Sequence, residues 1–253
     1  MAELGLPHWV FASLLLSLRI GPALAFAPPF TLTRMPVVFR MLLALGVSAV
    51  VAASNPAHAT LADLGAGTLL VTGARELMLG IAVAAAFQLM FAALYTAGRA
   101  VDIQAGFGLA SLIDPTTGSQ TPLIGTLYVY GAAAVFFALN GHHDLIRLFA
   151  ASLEAVPLGE GELPASLARL TAFISTVLFV GMGVAGGAIL TLFLADMAIA
   201  MMSRTAPQMN VLVLGFQVKT LLLLLVLPLT LGFAGALFAR MARLTLKSIP
   251  GLL

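Results

Sequence analysis

Long apolar runs, broken by short clusters of proline, glycine and charge, make up most of this chain. Six of them reach the roughly 20 residues that a helix needs to cross the hydrocarbon of a bilayer. They cover about 9–29, 37–55, 77–98, 122–141, 170–202 and 211–239. None alternates apolar with polar at the period of two that marks a lipid-facing barrel strand. Backbone amides in hydrocarbon must pair internally, so the runs predict helices. The expected fold class is an all-α membrane protein of about six hydrophobic helical segments, forming a single membrane-embedded domain over 1–253.

The breaks differ in character. Residues 31–36 form a short turn between Pro28-Pro29 and Pro36, and Asn55-Pro56 ends the second run ahead of a small-residue segment reaching Thr72. Residues 142–169 are the most charged, with Glu154, Glu160 and Glu162 beside Pro157 and Pro164, and predict an aqueous loop or short surface helix. Residues 99–121 stand apart. Gly106, Gly108, Pro115 and Gly118 disfavour a helix, yet Phe107, Leu109, Leu112 and Ile113 are apolar. Irregular, apolar backbone calls for protein around it rather than lipid.

Composition agrees with the pattern. Charged residues make up 9% of the chain and apolar ones 61%, against about 25% and 45–50% in soluble domains. The pI near 9.4 accompanies a net charge of only +2. The C-terminal Arg240, Arg243 and Lys247 read as a membrane-flanking anchor rather than a nucleic-acid track. There is no cysteine, hence no disulfide framework and no thiolate chemistry. Glu3, and the lack of Lys or Arg before residue 19, argue against a cleaved leader and for a retained first helix. With six crossings the basic residues fall six on one side and five on the other, a balance that sets no orientation and suggests that some segments are hairpins within a larger assembly.

The charges inside the runs need partners. Arg19 sits near the middle of the first, where a lone charge costs about 2.5–3.5 kcal/mol. Arg75 with Glu76 and Arg99 with Asp102 are paired by spacing, whereas Asp196 and Lys219 have no partner nearby in sequence. Such residues either hold helices together or mark an ion path. Gly183 and Gly187 stand in GxxxG spacing, suited to helix packing within the chain or to a subunit contact. His142-His143-Asp144 lacks metal-ligand spacing, Asp102 and Asp114 lack a Gly-x-Gly-Asp context, and neither a nucleophile elbow nor a phosphate loop is present. No catalytic residue, metal or cofactor is expected.

Five stretches in order carry a family resemblance. They are Arg19 followed by Ala27-Pro28-Pro29-Phe30, Met35-Pro36 and Arg40; Glu76 and Gly80 in Arg-Glu-Leu-Met-Leu-Gly; Asp102-Ile103-Gln104-Ala105-Gly106-Phe107 running through Ala110 to Asp114-Pro115-Thr116-Thr117-Gly118-Ser119-Gln120-Thr121-Pro122; Leu139-Asn140-Gly141-His142-His143 with Ser152 and Pro157; and Ala206-Pro207-Gln208-Met209-Asn210 leading through Gly215-Phe216 to Lys219. Together they resemble the FliR family, the R subunit of the flagellar type III protein-export gate, related to the T subunit of injectisomes. Gln217 departs from the proline of that pattern.

The resemblance implies kinked helical hairpins within a multi-subunit assembly of the bacterial inner (cytoplasmic) membrane, at the flagellar basal body. Its partners would be the P and Q subunits, the B subunit of the export apparatus, unfolded export substrates and membrane lipid, with no nucleic acid. It places a pore plug loop at Gly106, Phe107, Gly108, Leu109, Leu112, Ile113, Asp114, Pro115, Gly118, Gln120 and Pro122. Physics concurs, since apolar side chains close a pore by dewetting and glycines let the backbone rearrange; a static connector is the plainer reading. Inter-helix or subunit contacts are expected at Arg19, Arg75, Glu76, Arg99, Asp102, Gly183, Gly187, Asp196, Pro207, Gln208, Asn210 and Lys219. The alternative function is an ion-coupled secondary transporter using Asp102, Asp196 or Lys219.

Overall fold

Helices end at the proline and asparagine breaks in a computed structural model of the protein, which describes residues 6–33, 35–56, 66–107, 121–159, 167–205, 208 and 210–252. Helix α1 spans Leu6–Phe26 and is followed by a single 3-10 turn, Phe30–Leu32. Then come α2 (Val37–Ser54), α3 (Ala66–Ala105), α4 (Leu123–Ala138), α5 (Gly141–Ala155), α6 (Leu167–Thr205) and α7 (Val211–Leu252). Among the described residues there are no strands. Among the described residues five helices are long and apolar enough to cross a membrane. Helix α4, at 16 residues, is too short alone; α4 and α5 together, bent by 70°, bring the total to six. The all-α membrane class is therefore what the chain adopts.

Three boundaries depart from the sequence reading: both ends of α3, and the end of α7, which runs on through Arg240, Arg243 and Lys247 to Leu252. Helix α3 begins at Ala66 and continues to Ala105, so residues 99–105 are helical rather than irregular. The helix-disfavouring residues begin only at Gly106, and nothing before it obliges the helix to stop. The charged stretch after Gly141 opens as α5, with Leu145, Phe149, Ser152 and Leu153 buried on one face and Asp144, Arg147 and Glu154 exposed. That spacing is helical, so of the two readings open to this stretch, loop or short helix, its first part takes the helix. Between α4 and α5, Asn140 takes a left-handed backbone at φ 57, which asparagine tolerates better than most residues.

The chain divides into two compact units: Met1–Leu89 with Phe136–Ile174 and Ala242–Leu253, and Met90–Val135 with Ser175–Met241. In the first, α1 packs on α2, and α2 touches α5. Leu16, Ile20, Phe87, Leu145 and Phe149 are buried. Phe136 meets Phe30, Phe87 and Phe137 edge to face, with centroids 6.4, 5.7 and 5.6 Å apart, the arrangement that aromatic quadrupoles favour. The last carbonyls of α1 have no partner within the helix. Arg40 of α2 donates to the Ala25 carbonyl, and Gln88 Nε2 of α3 donates to the Phe26 carbonyl at 2.9 Å.

In the second unit α3 and α4 meet backbone to backbone. A methyl added at Gly98 would lie 2.4 Å from the Gly125 Cα, so the crossing exists only because both residues lack one. Helices α6 and α7 form an antiparallel hairpin whose register is set by Gly187 against Thr230 and Gly215 against Ile199.

Gly98→Ala is expected to lower stability by about 1–3 kcal/mol through overpacking, seen as a lower Tm in detergent. Gly46→Ala, where the methyl meets open space, should leave the Tm unchanged or raise it.

Candidate functional site: the polar contacts of helix α3

Besides Gln88, helix α3 carries three polar side chains that reach other helices. The first is Glu76, buried with Arg19 of α1. Arg19 Nε lies 2.6 Å from Glu76 Oε2 and Nη2 lies 3.0 Å from Oε1, a bidentate fork that fixes orientation as well as charge. The rest of the guanidinium is spent on the end of α5. Nη1 donates to the Ser152 carbonyl at 3.1 Å and to its Oγ at 3.3 Å, and Nη2 donates to the Val156 carbonyl at 3.0 Å. Ser152 and Val156 belong to the C-terminal end of α5, where the helix dipole favours a cation, and the Ser152 carbonyl also accepts the Val156 amide at 2.9 Å.

A close approach brings these groups together. A methyl on Gly80 would sit 2.6 Å from both the Leu18 and the Arg19 carbonyl oxygens. Bare backbone there lets α3 lie against α1, and Glu76, one turn earlier on the same face, meets Arg19. The spacing-based pairing of Arg75 with Glu76 is corrected. Adjacent helical residues point about 100° apart, and Arg75 Nη1 instead donates to the Gly159 carbonyl at 2.8 Å.

The second is Asp102. Its carboxylate accepts the Ile124 amide, 3.1 Å from each oxygen, and the Gly125 amide at 3.3 Å. These N–H groups belong to the first turn of α4, which has no intrahelical acceptor for them. The residue preceding α4 is Pro122, whose side chain accepts nothing, so Asp102 supplies the cap from a different helix. The expected Arg99–Asp102 pair is not formed: Arg99 is exposed while Asp102 is buried and turned to α4.

The third is Gln104, at the end of α3. The Phe107 amide donates to the Asp102 carbonyl and the Gly106 amide to the Ile103 carbonyl, both at 3.0 Å, with Gly106 at φ 89. That pattern is a Schellman termination. The Gln104 carbonyl, in this last turn, accepts Lys219 Nζ of α7 at 3.2 Å. Gln104 Nε2 donates to Asp196 Oδ2 of α6 at 2.7 Å, and Asp196 and Lys219 form an ion pair. Asp196 and Lys219, partnerless by sequence distance, are thus each other's partner.

Of the remaining expected residues, Phe107 is half-buried and meets Phe216 edge to face at 6.4 Å; Pro122 is half-buried. Gly108, Leu109, Leu112, Ile113, Asp114, Pro115, Gly118, Gln120 and Pro207 lie outside the described residues. Gln208 is exposed, and Asn210 Oδ1 accepts the Val213 amide at 3.4 Å as the cap of α7. Gly187 packs on Thr230, whereas Gly183 is exposed and a methyl there would meet nothing within 4 Å. The sequence reading gave no role to Gln104, although it stands inside the third motif. It also missed the α5 carbonyls, because backbone acceptors leave no mark in a sequence.

Buried polar contacts between apolar helices define a class: an all-helical membrane protein whose charges fasten helices. Comparison with known proteins sharpens this. The family described as "Bacterial export proteins, family 1" matches residues 10–244. The flagellar biosynthetic protein FliR of Escherichia coli (strain K12) is 27% identical over 232 residues, 90% of this chain and 88% of its own. FliR of Bacillus subtilis (strain 168) is 28% identical over 184 residues, 71% of each chain. The Yop proteins translocation protein T of Yersinia pestis is 30% identical over 162 residues, 62% of each. The chain belongs to this family of bacterial export proteins, the FliR family that its five motifs resemble.

Glu76→Leu would leave Arg19 buried without its counter-charge, at an expected cost of about 3–5 kcal/mol. Arg19→Met combined with Glu76→Leu should restore most of the loss. Membrane abundance and the Tm in detergent would read both.

Proposed function

We propose that the chain is a membrane subunit of a flagellar type III export apparatus, without catalysis of its own. It would combine with P and Q subunits in the inner membrane to enclose a path for unfolded flagellar proteins, alongside the B subunit. Family membership supports the system. One observation on the fold carries the need for neighbours. Helices α3, α6 and α7 have 40, 39 and 42 residues, each about 60 Å long at 1.5 Å per residue. Hydrocarbon is only about 30 Å thick.

These long helices also expose large apolar side chains along their length: Phe179, Leu190 and Met201 on α6, and Leu221, Leu229 and Phe233 on α7. A bilayer covers about half of such a length, and other polypeptides are the natural cover for the rest. The coupled-transporter alternative draws no support. Asp196 and Lys219 neutralise each other, and the Asp102 carboxylate is occupied by the α4 amides.

Within that assembly, residues 106–122 would serve as the plug. Phe107 and the apolar residues after it supply a dewetting surface, and their stem is set by the Schellman turn at Gly106. Exposed Gly183 would admit a neighbouring helix closely.

Co-expression with P and Q subunits should yield one discrete complex, and its absence would defeat the export reading. Gly183→Leu should reduce copurification severalfold at unchanged membrane level of the chain. Deleting residues 106–119 should make membranes holding the assembled complex permeable to small ions; unchanged ion conductance would remove the plug role.

A further inference from the structure

The two buried charge arrangements differ in how they connect the molecule. Arg19 and Glu76 lie on different helices, α1 and α3, and both are essentially excluded from solvent. Separating those helices would strand both charges. Asp196 and Lys219 lie on α6 and α7, the two arms of one hairpin. Their ion pair is internal to that hairpin. At the end of α3 the hairpin is held by Gln104, which gives its side-chain amide to Asp196 and receives Lys219 at its carbonyl.

We propose that the α6–α7 hairpin is a lever with a releasable latch at Gln104. On release the hairpin leaves α3 with its own charges still paired. The loss is two hydrogen bonds, not a broken ion pair, and the freed groups are an amide and a carbonyl. Asp196 and Lys219 are only partly buried, at 33% and 19% exposure, and each keeps the other as its partner as Gln104 departs. Buried charges that must never separate, like Arg19 and Glu76, show the opposite design.

A pivot is present as well. A methyl added at Gly181 of α6 would lie 3.1 Å from the Ala93 Cβ and 3.3 Å from its carbonyl atoms, so α6 lies close against α3 there. The latch lies further along both helices, about 16 Å from Ala93 on α3 at 1.5 Å per residue. Close packing at one point and a polar hold at another let the hairpin end swing without losing its seat. Phe107 and Phe216, in edge-to-face contact beside the latch, mark the surfaces that would part.

The absence of cysteine makes this testable in full-length chain in bacterial membranes. Phe107→Cys with Phe216→Cys reports the latch end, and Gly187→Cys with Thr230→Cys reports the hairpin itself. In a background of Gln104→Leu, Asp196→Asn and Lys219→Met, which removes the latch and both charges, crosslinking at the latch end should fall severalfold. Crosslinking within the hairpin and membrane abundance should hold. Gln104→Leu alone should give an intermediate fall. Unchanged latch-end crosslinking would overturn the proposal. So would loss of both crosslinks or of the chain itself, since the contact would then hold the fold rather than release it. Neither readout depends on export activity, so the lever can fail while the export reading stands.

Discussion

A charge removed from water must be answered by something, and in this chain water is mostly out of reach. Side chains with full charge are 9% of the residues, and those within the apolar helices cannot be left to solvent. Each becomes a constraint on which helix lies beside which. Arg19 admits one arrangement of α1, α3 and the end of α5, because only that arrangement supplies a carboxylate and two carbonyls to one guanidinium. Apolar packing alone could not choose so narrowly, since an apolar face accepts many partners of similar shape.

The same rule governs helix ends. Their unpaired amides and carbonyls are the largest polar liability of a helical protein in a medium that cannot bond to them. Here several are met by a side chain from a different helix. Asp102 of α3 caps α4, Lys219 of α7 caps α3, Arg19 of α1 caps α5, and Arg40 and Gln88 finish α1. Local capping is short-range and says nothing about topology. Capping at a distance makes each end a tertiary contact, and kinked, abruptly terminated helices thereby become a defined fold.

Much of this was legible beforehand. Apolar runs gave the helices and the class, and five ordered motifs gave the family, because long periodic patterns and rigid spacings survive in one dimension. Arg19, Glu76, Asp102, Asp196 and Lys219 stood out as charges in apolar surroundings. Their partners did not. Sequence proximity suggested Arg75 for Glu76 and Arg99 for Asp102, yet residues one or three apart on a helix meet only if nothing better faces them. The true partners lie on other helices, brought near by glycine crossings at Gly80 and Gly98 whose effect depends on the opposing backbone. For the charged stretch after Gly141 a loop and a short surface helix were both open and α5 is the helix, while α3 runs on to Ala105 because no breaker precedes Gly106.

The hairpin register has a bearing on how the chain is made. Asp196 emerges from the ribosome well before Lys219, the residue that neutralises it. A lone carboxylate entering hydrocarbon on α6 would face a penalty of about 2.5–3.5 kcal/mol. That penalty is relieved once α7 has followed and Lys219 has reached Asp196, so the order of synthesis becomes part of the folding route.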